Sequence, residues 1–173
     1  YRESYDMFAC NGILFNHESP RRGPTFVTKK ITAGIKQIIN GKQTHIKLGN
    51  LNSKRDWGYA KEYVESMWLM LQQKKPSDFV IATGQVYSVR NFVEEAFKYV
   101  NIKIKWKGKG LKEVGINSKS NKVLVKIDPY FLRPNELHYL KGDYSKSKKI
   151  LGWKPKVKFK ELVKIMMENE LIE

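Results

Sequence analysis

The sequence predicts an α/β fold, and three observations predict it. Short apolar runs alternate along the chain with segments whose apolar residues recur at helical spacing, the order expected when strands feed helices that pack back onto a sheet. No period of roughly 20 to 50 residues repeats, which argues against a solenoid. Hydrophobic residues make up 41% of the 173 and aromatics 12%, enough apolar material for a packed core. No stretch has the length and composition of a linker between independent domains, so residues 1–173 are expected to form a single composite unit.

Arg2 to Phe8 reads as the end of an amphipathic helix, with Tyr5 and Phe8 on one side. Ala9 to Phe15 is an apolar run that reads as a short buried strand and gives way to a polar loop at Asn16, His17, Glu18 and Ser19 and continues through Pro20, Arg21, Arg22 and Gly23. From Phe26 onward Ile31, Ile35, Ile38 and Ile39 recur at helical spacing until Gly41 breaks the pattern. Thr44 to Leu48 is a strand, turned by Gly49 and Asn50. A loop of Asn52, Ser53, Lys54 and Arg55 leads to Asp56, placed to cap the next helix by accepting from its free N–H groups. Ala60, Tyr63, Val64, Met67, Trp68 and Leu71 make a wide apolar stripe on that helix, and Pro76 stops it.

Phe79 to Ala82 is a strand, Thr83 and Gly84 a turn, and Ser88 caps a helix whose buried side is Val89, Phe92, Val93, Ala96, Phe97 and Val100. Lys103 to Lys122, with Gly108, Gly110, Gly115 and an Asn-Ser-Lys-Ser-Asn tract, reads as a strand followed by an irregular excursion. Val123 to Ile127 is a strand, and Asp128, Pro129, Arg133 and Pro134 form another irregular polar loop. Asp143 caps a short helix that ends at Gly152, and Phe159, Leu162, Val163 and Met166 mark a last amphipathic helix.

The formal charge is +16, from 33 basic against 17 acidic side chains, a balance that favours anionic partners. The alternative is that lysines alternating with apolar residues, as in Ile102 to Trp106 and Val123 to Ile127, are the solvated faces of strands. Cys10 is the only cysteine, so the sequence holds no intramolecular disulfide and no cysteine-based metal site, which fits a reducing, cytoplasmic location. No apolar run approaches the roughly 20 residues of a membrane helix, and no membrane partner is expected. Tyr1 opens the chain in place of methionine, within what reads as the end of a helix, and a fragment lacking its N-terminal part is expected.

Three polar stretches could carry chemistry. In the first, Asn16 and His17 follow a strand end while Arg21 and Arg22 are suited to grip phosphate bidentately; the alternative is that His17 and Glu18 satisfy loop backbone groups. In the second, LGNLNSKRDW, Lys54 and Arg55 precede an expected helix start, where side-chain charge adds to the helix dipole, against the alternative of a surface loop. In the third, DPYFLRPNE, Arg133 sits between Leu132 and Pro134, and Glu136 either orients it, accepts a sugar hydroxyl or forms a structural ion pair. His17, His45 and His138 stand far apart and make no ligand pair, so no metal site is expected. No serine or cysteine elbow marks a nucleophile, and no catalytic residue is assigned in this chain. Nucleic acid is not an expected partner, since no zinc spacing or glycine-aromatic RNA-binding signature is present. A non-catalytic basic nucleic-acid-binding module is kept as an alternative.

Side by side, YRESYDMFACNGILFNHESPRRG, FVTKKI, LGNLNSKRDWG, EYVESMWLMLQQ, FVIATG, SVRNFVEEAF, RPNE and LGWKP resemble the C-terminal half of the GDP-mannose 4,6-dehydratase family of extended short-chain dehydrogenases/reductases. The resemblance implies an α/β chain made of the last sheet strands of a Rossmann-type domain plus the smaller mixed α/β substrate-binding domain, interleaved over residues 1–173, with the N-terminal cofactor-binding half absent. Family members use NADP to oxidise the C4 hydroxyl of GDP-mannose, eliminate water across C5 and C6 and return hydride to C6. The resemblance implies that the catalytic groups of that chemistry precede Tyr1, that the fragment alone is inactive, and that the full-length enzyme is a homo-oligomer, a dimer or tetramer.

By position, the resemblance makes His17, Arg21 and Arg22 contacts to NADP, and Asn16 a contact to the sugar nucleotide. Val27, Lys30, Leu48, Gly49 and Asn50 become the lining of the GDP site. Arg55 and Arg133 become diphosphate arginines, and Glu136 the acceptor of a ribose hydroxyl. Another nucleotide-sugar dehydratase or epimerase is the alternative within the superfamily.

Overall fold

The computed structural model describes residues 1–133 and 135–172; Pro134, expected in the third polar loop, lies outside them. In chain order the first elements are α1 (Arg2–Tyr5), β1 (Gly12–Leu14), β2 (Asn16–Glu18), α2 (Val27–Ile39), β3 (Ile46–Leu48), β4 (Lys54–Arg55), β5 (Trp57–Tyr59), α3 (Ala60–Leu71) and β6 (Phe79–Ile81). Then follow β7 (Tyr87–Ser88), α4 (Val89–Tyr99), β8 (Ile104–Lys107), β9 (Val114–Asn117), β10 (Val123–Ile127), β11 (Tyr139–Leu140), α5 (Ser145–Leu151) and α6 (Phe159–Ile172). Short 3-10 turns cover Gly110–Lys112 and Pro129–Phe131. The chain forms two compact units and alternates between them: the first is Tyr1–Ser19, Arg55–Val86 and Leu140–Leu162, the second Pro20–Lys54, Tyr87–Tyr139 and Val163–Glu173.

In the first unit β1 pairs in parallel with β6, Gly12 to Phe79 through Leu14 to Ile81, and β2 pairs in parallel with β5, Asn16 to Trp57 through Glu18 to Tyr59. The Phe15 N–H donates to the Ile81 carbonyl at 2.9 Å just before the pairing passes from β6 to β5. Asn16, His17 and Glu18, expected as loop, are therefore strand. Glu18 is only 2% exposed, and a buried charged residue in a strand breaks the apolar pattern by which strands are read. The core joins Tyr63, Met70, Phe79, Ile81, Leu151 and Trp153. Trp153 donates its indole N–H to the Glu62 carbonyl at 2.9 Å, and the Glu62 carboxylate accepts the N–H groups of Lys156 and Val157, each at 3.0 Å.

Two further expectations fail in this unit. Asp56 does not cap α3, which starts four residues later at Ala60 with Tyr59 as N-cap and no side-chain cap. It is wholly buried, and its carboxylate takes the Thr83 N–H at 2.8 Å, the Thr83 hydroxyl at 2.5 Å, the Gly84 N–H at 2.9 Å and the Gly142 N–H at 3.2 Å. It ties three separate stretches of chain together. Nor does α3 bury its whole apolar stripe. Its buried residues are Glu62, Tyr63, Ser66 and Met70, while Val64, Met67, Trp68 and Leu71 are between 42% and 63% exposed.

The second unit is built on a four-stranded sheet ordered β3-β10-β9-β8, with β3 parallel to β10 and the other pairs antiparallel. Ile31 and Ile35 of α2 and Phe92, Val93, Ala96 and Phe97 of α4 are fully buried, as their spacing predicts. Ser88 caps α4 in a reciprocal box: its hydroxyl accepts the Asn91 N–H and the Asn91 side chain accepts the Ser88 N–H. Strand β9 was not expected, because Gly115 weakens its apolar signal. The space there is tight, since a Cβ would stand 3.0 Å from the Trp106 ring and 3.1 Å from Val125.

Candidate functional site

In the second unit, three separated pieces of sequence meet. β3 ends at Leu48, which is buried, and the turn after it carries Gly49 and Asn50, which are half-buried. The turn at Pro129–Phe131 is fastened to it, with the Asp128 N–H donating to the Leu48 carbonyl at 2.8 Å. A Cβ on Gly49 would lie 2.2 Å from the Phe131 carbonyl oxygen, so this close approach of two backbones demands glycine. The third piece is α2, from which the Lys30 ammonium reaches over the Phe131 ring, 3.3 Å from its centroid. Asn50 accepts the Asn52 N–H at 2.9 Å and lies 3.5 Å from the His138 ring. The loop that carries Arg133, which is exposed, and Glu136, which is half-buried, runs between Phe131 and His138.

A cavity of about 500 Å³ opens beside this cluster, lined by Pro24, Lys30, Gln37, Gln43, His45 and Phe131 among others. Its electrostatics are basic. Burial holds the Lys30 ammonium below the usual lysine range, with Asp128 acting in the opposite sense. Burial, then Lys126 and Lys47, lowers the His45 imidazole below its ordinary value. The Tyr130 N–H, then Lys47, holds the Asp128 carboxyl below the usual carboxylate range. Phe131, Gln37, Gln43 and His45 were not singled out in the sequence. An aromatic residue two positions after a Pro at the first position of a short turn was the available signal for Phe131.

The loop before α2 belongs to the same unit. The Arg22 guanidinium lies 3.5 Å over the Phe26 ring, which fixes it just ahead of the helix N-terminus; Arg21 is exposed. Phe26 is the N-cap and makes no side-chain cap, and Val27 is the first helical residue. An uncapped N-terminus of a 13-residue helix with two arginines before it suits an anion. Lys29 is engaged elsewhere, 2.6 Å from Glu170.

In the first unit, Asn16 and His17 stand on β2. His17 Nδ1 is 2.8 Å from the Phe15 carbonyl, so that nitrogen carries the proton, and the ring stacks on Tyr63 with centroids 5.0 Å apart. Burial, with Asp56, Glu62 and Glu18 adding, pushes the Tyr63 phenol well above its usual range. Arg55 is half-buried on β4, five residues before α3 and not at its N-terminus, which corrects the expected helix-start geometry. Among the described residues no group of three His, Cys, Asp or Glu side chains could hold a metal ion, and no helix is long and apolar enough to cross a membrane.

Comparison with known proteins agrees with this architecture. The fold matches that of RMD from Pseudomonas aeruginosa complexed with NADPH, with a TM-score of 0.80 at 15% identity over 99% of this chain and 51% of that one. It also matches dTDP-glucose 4,6-dehydratase from Bacillus anthracis in complex with NAD, with a TM-score of 0.75 at 13% identity over 98% of this chain and 46% of that one. The fold is thus the α/β fold of the extended short-chain dehydrogenase/reductase class of dehydratases and epimerases. In sequence, the GDP-mannose 4,6 dehydratase of Dictyostelium discoideum is 58% identical over 171 residues and that of Homo sapiens 53%, each over 99% of this chain. The defining pattern of that family spans residues 1–166, and the chain belongs to the GDP-mannose 4,6-dehydratase family. It spans about half the length of these curated relatives, 48% and 46% respectively.

Proposed function

We propose that this chain is the C-terminal, nucleotide-sugar-binding portion of a GDP-mannose 4,6-dehydratase. The observation that carries the reading is the junction of Lys30, Phe131 and the Leu48–Asn50 segment at the end of β3 beside a basic cavity, in a chain of this family. An ammonium over an aromatic ring, next to backbone in close approach, offers a nucleobase a flat apolar wall with a polar edge. Lys30, Val27, Leu48, Gly49 and Asn50 line the GDP site in this proposal. Arg133 and Glu136 serve the diphosphate and a ribose hydroxyl, and Asn16 and Arg55 keep the substrate roles that the family resemblance implies.

The cofactor in this reading is NADP, which when bound supplies the hydride acceptor and donor of the reaction. Arg22, braced on Phe26 before the uncapped start of α2, fits a phosphate-bearing group, and Arg21 and His17 keep the cofactor roles that the family resemblance implies. With Nδ1 committed to the Phe15 carbonyl, His17 has its Nε2 left for a ligand.

Two features support placing the chain in the C-terminal half. No strand-to-helix turn of the described residues carries the spaced glycines of a dinucleotide-binding loop. And β1 pairs with β6 in a two-stranded parallel sheet, with Ile13 55% exposed and the outer stripe of α3 bare; parallel strands need cover on both faces. The complementary half would supply it. Titration calorimetry with GDP-mannose, UDP-glucose and dTDP-glucose tests the assignment: preference for GDP-mannose is expected, equal or tighter binding of another nucleotide sugar moves the chain to that dehydratase or epimerase, and tight NADPH binding by the chain alone makes it the cofactor-binding half instead.

A further inference from the structure

The four-stranded sheet of the second unit carries a face of lysines. Its register sets Lys107, Val114, Lys126 and Lys47 side by side across β8, β9, β10 and β3, and Lys105 lies two residues along β8 on the same face. All four lysines are exposed. The adjacent row, Trp106, Gly115, Val125 and Ile46, belongs to the opposite face, where Trp106 lies under the Arg90 guanidinium and donates to Glu94. Residues 101–127 hold eight lysines against one acidic residue, Glu113, and Arg90 already binds Glu113 at 2.8 Å. Asp128 opposes Lys47 at 3.3 Å, which leaves the rest of the face strongly positive. At the tip of the β8–β9 connection, the Gly110–Lys112 turn holds Leu111 58% exposed, with Lys109 and Lys112 on either side.

We propose that this face docks on an anionic phospholipid surface. The lysines meet headgroup phosphates and carboxylates while their stems and Leu111 enter the headgroup boundary. Single-stranded nucleic acid would call for aromatic platforms in the row, and none of its residues is aromatic. Duplex phosphate would give the exposed leucine of the tip nothing to contact. The sequence showed the lysines only as alternating residues; strand register collects them into one surface.

Vesicle flotation of the full chain tests the proposal. The chain floats with vesicles of phosphatidylcholine plus phosphatidylserine, not with phosphatidylcholine alone, and high salt releases it. The triple variant Lys105→Ala, Lys107→Ala, Lys126→Ala loses roughly fivefold in partitioning per lysine, about a hundredfold together. Leu111→Ser weakens binding several-fold without changing its salt dependence. Removing the same charge elsewhere, by Lys148→Ala, Lys149→Ala, Lys160→Ala on α5 and α6, leaves flotation unchanged. The proposal is overturned if anionic vesicles fail to float the chain, if the control triple loses as much as the face triple, or if oligonucleotide at equal phosphate concentration strips the chain from the vesicles.

Discussion

Replacing Asp56 with Asn separates two accounts of one residue. If Asp56 were a helix cap, Asn would serve about as well, and the change would cost no more than a few tenths of a kcal/mol. In the structure the carboxylate has four donors, two on each oxygen, and only one of the four is a rotatable hydroxyl. An amide keeps one acceptor oxygen. Its lowest-cost placement keeps that oxygen on the Gly84 and Gly142 N–H groups and turns the NH₂ toward Thr83, whose hydroxyl can rotate to accept while its N–H is left facing another donor. One orphaned buried N–H plus lost charge assistance on the other bonds comes to about 2–4 kcal/mol. With an m-value of about 2 kcal/mol/M, the urea midpoint falls by roughly 1–2 M. A shift below about 0.3 M in urea unfolding followed by circular dichroism would show that Asp56 acts as no more than a cap.

Other perturbations follow from the same geometry. Gly49→Ala forces a Cβ into the Phe131 carbonyl, so calorimetry should find nucleotide-sugar binding weakened at least tenfold while the circular dichroism spectrum is retained. Ser88→Ala removes half of the α4 capping box and lowers thermal stability by about 1 kcal/mol. Hydrogen bonds from Arg2, then from the Asn11 N–H, hold Asp78 well below the usual carboxylate range. Its contribution is therefore present above the ordinary carboxylate pKa and lost as pH falls through the folded value. Acid titration of Asp78→Asn should show a correspondingly smaller loss of stability below about pH 4.

What could be read from the sequence, and what could not, divides along physical lines. Helices α2 and α4 were legible because each buries one face: Ile31 and Ile35, or Phe92, Val93, Ala96 and Phe97, recur at helical spacing. Strand β2 was not, because its buried residue is Glu18, and polarity in a strand looks like loop. Asp56 was misread because a carboxylate shortly before a helix has the local signature of a cap, while its partners lie 27 to 86 residues away. The outer stripe of α3 was legible as apolar, but which part of it finds a partner depends on chain beyond its own turns. Of the candidate site, Lys30 and Leu48–Asn50 stood out by motif, whereas Phe131 is recruited by the approach of two backbones that only the fold creates.

In the proposed function this chain needs a complementary half. The most direct measurement is GDP-mannose turnover by the chain co-produced with the remaining half of a relative such as the GDP-mannose 4,6 dehydratase of Dictyostelium discoideum. The prediction is a 4-keto-6-deoxy product only when both halves are present, with the activity lost when Trp68 on the bare face of α3 is changed to Lys. Turnover by the chain alone, or undiminished turnover with Trp68→Lys, would contradict it.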